Sequence, residues 1–356
     1  MQTGNQFSNQ VGYNSEEYNK LIEEAMKLPI TEGYAKYAEA EKLMLEDGYL
    51  APIYQKASAY LEKDYVSGIV NNSWGADYTY TYADVDKDDK VLNLATSSDI
   101  PTLDLSKATD QQSFQTANTT MEGLTRVDAE GKVQPGVAES WETSEDGLTW
   151  TFKLRKNSTW SNGTPVTAHD FEYSWKRTLT PETAAEYSYI MADIVGSSTK
   201  EIQENGVDGV GVKALDDYTL EVKLNRPVAY FAELVSFQVF FPQNQAFVES
   251  CGDAYGSAAD KQLYNGPFTL TSWKMEDQFT MEKNPNYWDA ANVKLNKINT
   301  KVVKDTGAEV SLYEAGQIDR AILSSDYVDK YKDSKELKTR EVASIFMLQI
   351  NGGNHK

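Results

Sequence analysis

The sequence predicts an α/β protein of two or three domains, and three observations carry that expectation. A chain of 356 residues is longer than one hydrophobic core organises. Apolar residues recur with helical spacing in residues 14–27 and 31–47, whereas residues 149–155 and 218–224 alternate strictly between apolar and polar. The run VVKDTGAEVSLYEAGQIDRAIL (302–323) has the helix–loop–strand order of an α/β lobe, with Gly316 ending the helix.

In chain order, Asn14 with Glu17 forms a capping pair, and the helix that follows puts Tyr18, Leu21, Ile22 and Ala25 on one face until Pro29 ends it. A second helix from near Thr31 gathers Tyr37, Ala40, Leu43 and Met44 and stops at Gly48. LAPIYQKASAYL (50–61) reads as a buried strand. The Tyr-Thr alternation after Asp77 reads as an edge strand, and the charged run after it as a linker, with a junction at residues 86–89. Residues 91–95, apolar on both faces, read as a strand covered by helices on both sides.

Residues 138–177 carry the densest pattern. Asp146-Gly147 marks a turn, after which Trp150, Phe152 and Leu154 alternate with Thr149, Thr151, Lys153 and Arg155 as one arm of a hairpin. Asn162-Gly163 marks the next turn, and Thr167 with Asp170 forms a capping pair for a helix through Phe171 and Trp175. Residues 179–197 read as helical, and Leu220, Val222 and Leu224 as the buried side of a strand. YNGPFTLTSW (264–273) is a turn and strand, KNPNYW (283–288) a turn closed by aromatics, and IFMLQIN (345–351) a buried strand.

Composition removes several classes of function. A formal charge of −20 repels phosphate backbones and anionic lipid, so nucleic acid is not a partner. Cys251 is the single cysteine and His169 and His355 are the only histidines, too few for a soft-ligand metal centre. Asp84, Asp86 and Asp88 have calcium-loop spacing, but Asp89 stands where the loop needs Gly and Ala95 where it needs Glu. GVDGVG (206–211) lacks dinucleotide-fingerprint spacing and reads as a loop. His169 reads as a surface or capping residue, Cys251 as a small, partly buried one, and no nucleophile elbow accompanies them, so an enzyme is not expected. No apolar run spans a bilayer, and MQTGNQFSNQ lacks the regions of a secretory signal; as written, the polypeptide reads as soluble.

The 138–177 segment resembles the "AESW…DGLTYTFxLRxxxxWxDGxPVTAxDFxYSWxR" run of the oligopeptide-binding proteins of peptide ABC importers, the extracellular solute-binding proteins of family 5. Residues 91–141 resemble the mature amino terminus of that family. Residues 13–54 resemble its closing "YxNxEYDxLIxEA…AEKxLxEDxxxxPIY" portion, although they stand first in this chain. The resemblance therefore implies a circular permutation of a periplasmic-binding-protein-like type II lobe with an inserted mixed α/β subdomain and with most of the second lobe missing. It implies boundaries as follows: 1–60, remnant of the second lobe and a crossing strand; 61–90, end of lobe 1 and junction; 91–126, lobe 1; 127–226, the inserted subdomain; 227–356, lobe 1 continued.

The implied ligand is an extended oligopeptide held through its backbone, with affinity weakened in this chain, and with no cofactor, metal or catalysis. The alternative is a non-binding scaffold or interaction module derived from such a protein. The implied partner is the membrane permease of an ABC importer, the implied location is extracytoplasmic (a cell-surface lipoprotein or periplasmic), and exposed lobe surface allows self-association. Cleft-lining segments of the family match SSDIPTLD (97–104), TTMEGLT (119–125), YNGPF (264–268) and FMLQIN (346–351). The candidate ligand-binding residues are accordingly Ser98, Asp99, Ile100, Pro101, Thr120, Glu122, Gly123, Tyr264, Asn265, Gly266, Met347 and Gln349. Asp77, in a segment that superficially resembles the family's amine-binding motif, is not assigned that role.

Overall fold

Periodicity becomes structure most directly at the hairpin. In the computed structural model, which describes residues 12–26, 28, 30–72, 75–128 and 130–350, strand Thr149–Leu154 buries Trp150, Phe152 and Leu154. It pairs antiparallel with Ala138–Thr143 and with Thr219–Lys223. Val212–Asp216 completes a four-stranded sheet on the far side of Thr219–Lys223. Gly147, at φ 71°, supplies the left-handed residue of the connecting turn.

Helix Ala168–Leu179 packs against this sheet because Phe171 and Trp175, four residues apart, share one fully buried face. Its start is fixed as expected: the Asp170 carboxylate accepts the Thr167 backbone N–H at 2.8 Å. The Trp175 indole N–H donates to the Phe240 carbonyl at 2.8 Å, so the ring is buried without an orphaned donor. A second link runs through Arg177, whose two Nη atoms each meet one Asp104 carboxylate oxygen at 2.7 Å. Asp104 is almost wholly buried there, and Ser106 and Gln243 also accept from Arg177.

The chain divides into two compact units, Met1–Ala57 with Pro227–Tyr230 and Glu341–Lys356, and Ser58–Arg226 with Phe231–Arg340. In the smaller unit, helices Glu16–Met26 and Ile30–Glu46 enclose Tyr13, Tyr18, Ile22, Ala40 and Met44. The first helix is capped by Ser15, whose hydroxyl accepts the Tyr18 N–H at 3.2 Å, not by Asn14. Pro29 lies outside the described residues. Strand Leu50–Glu62 starts in this unit, and its first half is not buried: Ile53 is 62% exposed, and Tyr54 stacks on Phe346 with both rings in solvent. Strand Leu337–Gln349 behaves alike, with Leu348 60% exposed. Apolar, β-branched composition signals strand propensity, not the layer that would cover it.

In the larger unit, residues 59–62 pair antiparallel with residues 320–323. A second sheet runs Phe268–Lys274, Gln278–Lys283, Lys297–Val302 and Val91–Thr96, the last two parallel. Val91–Thr96 buries only Leu92 and Leu94 and leaves the alternate positions half-buried, so it is covered more fully on one face than the other. Asp319 ties the pieces together. Its carboxylate accepts from the Asn93 backbone N–H at 2.7 Å and the Tyr65 hydroxyl at 2.7 Å, with Lys87 Nζ at 3.3 Å.

Three local expectations change here. The run at residues 86–89 is no loose linker, since Val85 is buried and the Asp86 N–H donates to the Tyr65 carbonyl at 2.8 Å. The Tyr-Thr alternation forms only the short strand Tyr78–Thr79, paired with Val70–Asn71, after which the chain turns and buries Tyr80 and Thr81. Of residues 179–197, Leu179 ends the preceding α-helix and the rest forms 3-10 turns at Pro181–Thr183 and Glu186–Met191 rather than an α-helix; Ala184, at φ 52°, interrupts them. GVDGVG is a loop with one short 3-10 turn. Among the described residues no helix is long and apolar enough to cross a membrane.

Candidate functional site

Helix Gln111–Thr120 ends in an extended run through Met121, Glu122 and Gly123, and a second loop, Tyr264 to Pro267, lies against it. The two are laced by backbone and amide groups. The Glu122 N–H donates to Asn265 Oδ1 at 3.0 Å, Asn265 Nδ2 donates back to the Glu122 carbonyl at 2.9 Å, and the Gly266 N–H donates to the Thr120 carbonyl at 3.0 Å. Such close approach requires glycine: a Cβ on Gly266 would sit 2.6 Å from Met121 N. The Gly266 carbonyl in turn accepts from Asn284 Nδ2 at 2.9 Å.

The Glu122 carboxylate points into a buried polar cluster. It accepts from the Tyr287 hydroxyl and from Trp288 Nε1, the latter at 2.5 Å, with Arg126 Nη1 at 3.6 Å. Arg126 also reaches Asp289 at 2.8 Å, and the Trp288 ring lies beneath the Arg155 guanidinium at 3.8 Å. Burial raises the Glu122 pKa above its ordinary value, and it outweighs the opposing pull of Arg126 and the two donors. Burial likewise pushes the Tyr287 phenol far up.

A carboxylate whose pKa is raised on folding stabilises the fold when protonated, and that contribution is lost as pH rises through the folded-state value. Relative to Glu122→Gln, the wild type is therefore expected to lose stability as pH climbs above about 4.5, the ordinary value. Urea unfolding of both proteins across pH 4–8 reads this directly; a difference that does not vary with pH would contradict the burial argument.

A recess of about 110 Å³ opens beside this cluster, lined by Asn118, Met121, Gly123, Thr125 and Phe241. It is smaller than the ~300–1,000 Å³ of ordinary ligand pockets and has room for water or one small side chain, not for an extended peptide.

The structure thus brings Thr120, Glu122, Gly123, Asn265 and Gly266 into one cluster, with Tyr264 buried next to it and donating to the Ala259 carbonyl at 2.7 Å. The Asn265 amide, expected to face ligand, is engaged on both its oxygen and its nitrogen with Glu122. Ser98 and Pro101 are exposed and Ile100 is buried. Asp99 accepts from Trp273 Nε1 at 2.8 Å and from the Glu276 N–H at 2.6 Å, so its carboxylate fastens a loop. Met347 and Gln349 are exposed positions of the smaller unit, which corrects the expectation that their strand is buried. Sequence reasoning missed Arg126, Tyr287, Trp288 and Asp289. KNPNYW signalled only an aromatic turn, and nothing local marks the carboxylate it closes over.

Comparison with known proteins supplies the family. Residues 132–355 match the model of bacterial extracellular solute-binding proteins, family 5 middle. The chain is 37% identical over 249 residues to the oligopeptide-binding protein OppA of Bacillus subtilis, covering 68% of this chain and 46% of that protein. It is 35% identical over 263 residues to the dipeptide-binding protein DppE of the same organism, covering 74% and 48%. Among solved structures, Listeria monocytogenes OppA bound to peptide aligns with a TM-score of 0.68 at 42% identity, covering 70% of this chain and 49% of that one. The chain spans about half the length of the curated relatives it matches. With more than half of its residues matched to the family model, and with a solved relative 42% identical across 70% of this chain, the chain belongs to the bacterial extracellular solute-binding proteins of family 5.

Proposed function

We propose that this chain is built from the solute-binding component of a peptide ABC importer, an extracytoplasmic receptor without catalytic activity that takes extended oligopeptides by their main chain and serves a membrane permease. The observation that carries the reading is the family match over residues 132–355 together with relatives named as oligopeptide- and dipeptide-binding proteins. Our reading includes a permuted order, with domain boundaries at residues 60, 90, 126 and 226 and most of the second lobe outside this chain. It is supported by the resemblance of residues 13–54 to the family's closing portion and of residues 91–141 to its mature amino terminus.

Peptide binding is expected to be weak, with Kd in the ~mM range, about −4 kcal/mol. A second reading, the non-binding scaffold, is favoured by one specific observation: the Asn265 amide and the Thr120 and Gly266 backbone groups are already satisfied within the protein. Calorimetric titration with tri- to pentapeptide mixtures, run beside the Bacillus subtilis OppA relative, separates the two. Saturable heat supports the receptor, whereas no heat alongside a responsive control supports the scaffold. Native mass spectrometry of the same samples reads retained peptide as added mass, and it reads dimers formed through exposed side chains such as Ile53 and Leu348.

A further inference from the structure

Arg320 opens strand Arg320–Leu323 in the larger unit and is only 6% exposed. Its Nε, Nη1 and Nη2 all lack a hydrogen-bond partner among the described residues. The nearest carboxylate oxygen, on Glu62, is 3.8 Å from Nε, beyond hydrogen-bond length. The rings of Tyr60 and Tyr78 lie 3.9 and 4.2 Å from the guanidinium carbon. Those rings cover the cation's faces but do not satisfy its five donors, so the buried N–H edge is what lacks an acceptor.

The neighbouring charges are already matched in pairs. Lys338 Nζ meets Glu62 Oε1 at 2.5 Å, and Arg340 Nη2 meets Asp77 Oδ1 at 2.7 Å while its Nη1 donates to the Asp77 carbonyl. Three cations therefore face two carboxylates, and the group in excess is the buried guanidinium. Water can accept from its donors but cannot balance its charge.

We propose that Arg320 is the recognition group of a site for one small carboxylate, which binds in the plane of the guanidinium between the Tyr60 and Tyr78 rings. A single negative charge balances the cluster, and two oxygens in a plane match the fork of the guanidinium. Inorganic phosphate, a mixture of monoanion and dianion at neutral pH, carries on average more than the single charge that balances the cluster. The neighbouring Asp77 and Lys338 side chains are 42% and 40% exposed, so the cluster lies near the surface of the unit. This site is separate from the Glu122 cluster, and its test does not depend on peptide capture.

The test uses the full chain at constant ionic strength, with acetate, N-acetylalanine and inorganic phosphate as probes. Acetate is expected to raise the thermal midpoint saturably and to move the Arg320 Nε–H resonance. In Arg320→Lys, which keeps the charge and loses the fork, the acetate concentration at half effect should rise at least tenfold. A response to both acids supports a site that also takes the carboxylate of a polypeptide, and a response to acetate alone supports a free small acid. A response to phosphate only, or an equal response in wild type and Arg320→Lys, overturns the assignment. Should the variant not fold, the wild-type Nε–H resonance decides alone: unmoved at high acetate, it overturns the proposal.

Discussion

Replacing Asp104 by alanine is expected to destabilise the chain by about 3–5 kcal/mol, the penalty of leaving a buried charge unpaired. Asp104 holds both Nη atoms of Arg177 at 2.7 Å, and the side chains are 3% and 16% exposed, so solvent screens little of the loss. Ser106 and Gln243 would still accept from Arg177, but neither carries charge. The clasp joins residues 73 positions apart in the chain and fastens helix Ala168–Leu179 to the loop before helix Gln111–Thr120. Urea unfolding followed by tryptophan fluorescence measures the effect. A loss below about 1 kcal/mol, the worth of an exposed pair, would mean the charge is not buried in solution.

Gly266→Ala is expected to cost about 3 kcal/mol, at the upper end for overpacking. The added methyl would lie 2.6 Å from both Met121 N and Thr120 C, which are backbone atoms that cannot swing aside. Relief requires the two loops to part, and parting them breaks the bond from Gly266 N–H to the Thr120 carbonyl. Equilibrium unfolding reports the cost. A near-neutral result would show that the loops at residues 119–125 and 264–268 are less tightly joined than their hydrogen bonds imply.

Local rules carried much of the fold. The alternation at Trp150, Phe152 and Leu154 and the capping pair of Thr167 and Asp170 involve neighbours within a few residues, so pattern alone predicts them. Burial was less legible. Ile53 and Leu348 have the composition of core strands and lie in solvent, because coverage depends on other elements. Arg320 shows the reverse. A charged residue before a short apolar run looks like a surface position, and its aromatic neighbours Tyr60 and Tyr78 are more than 200 positions away. In the candidate site, the glycines and Asn265 were found through the resemblance. The Glu122 cluster was not, since its donors come from an aromatic turn more than 160 residues later.

The parallel pairing of Val91–Thr96 with Lys297–Val302 governs how this polypeptide emerges during synthesis. About 200 residues must leave the ribosome after the first of these strands before the second is available. At 5–20 residues per second that is roughly 10–40 s during which Leu92 and Leu94 have no sheet partner on that side. Nascent chains of this length are natural clients for chaperones, and expression yield should respond to translation speed more sharply than equilibrium stability alone would indicate.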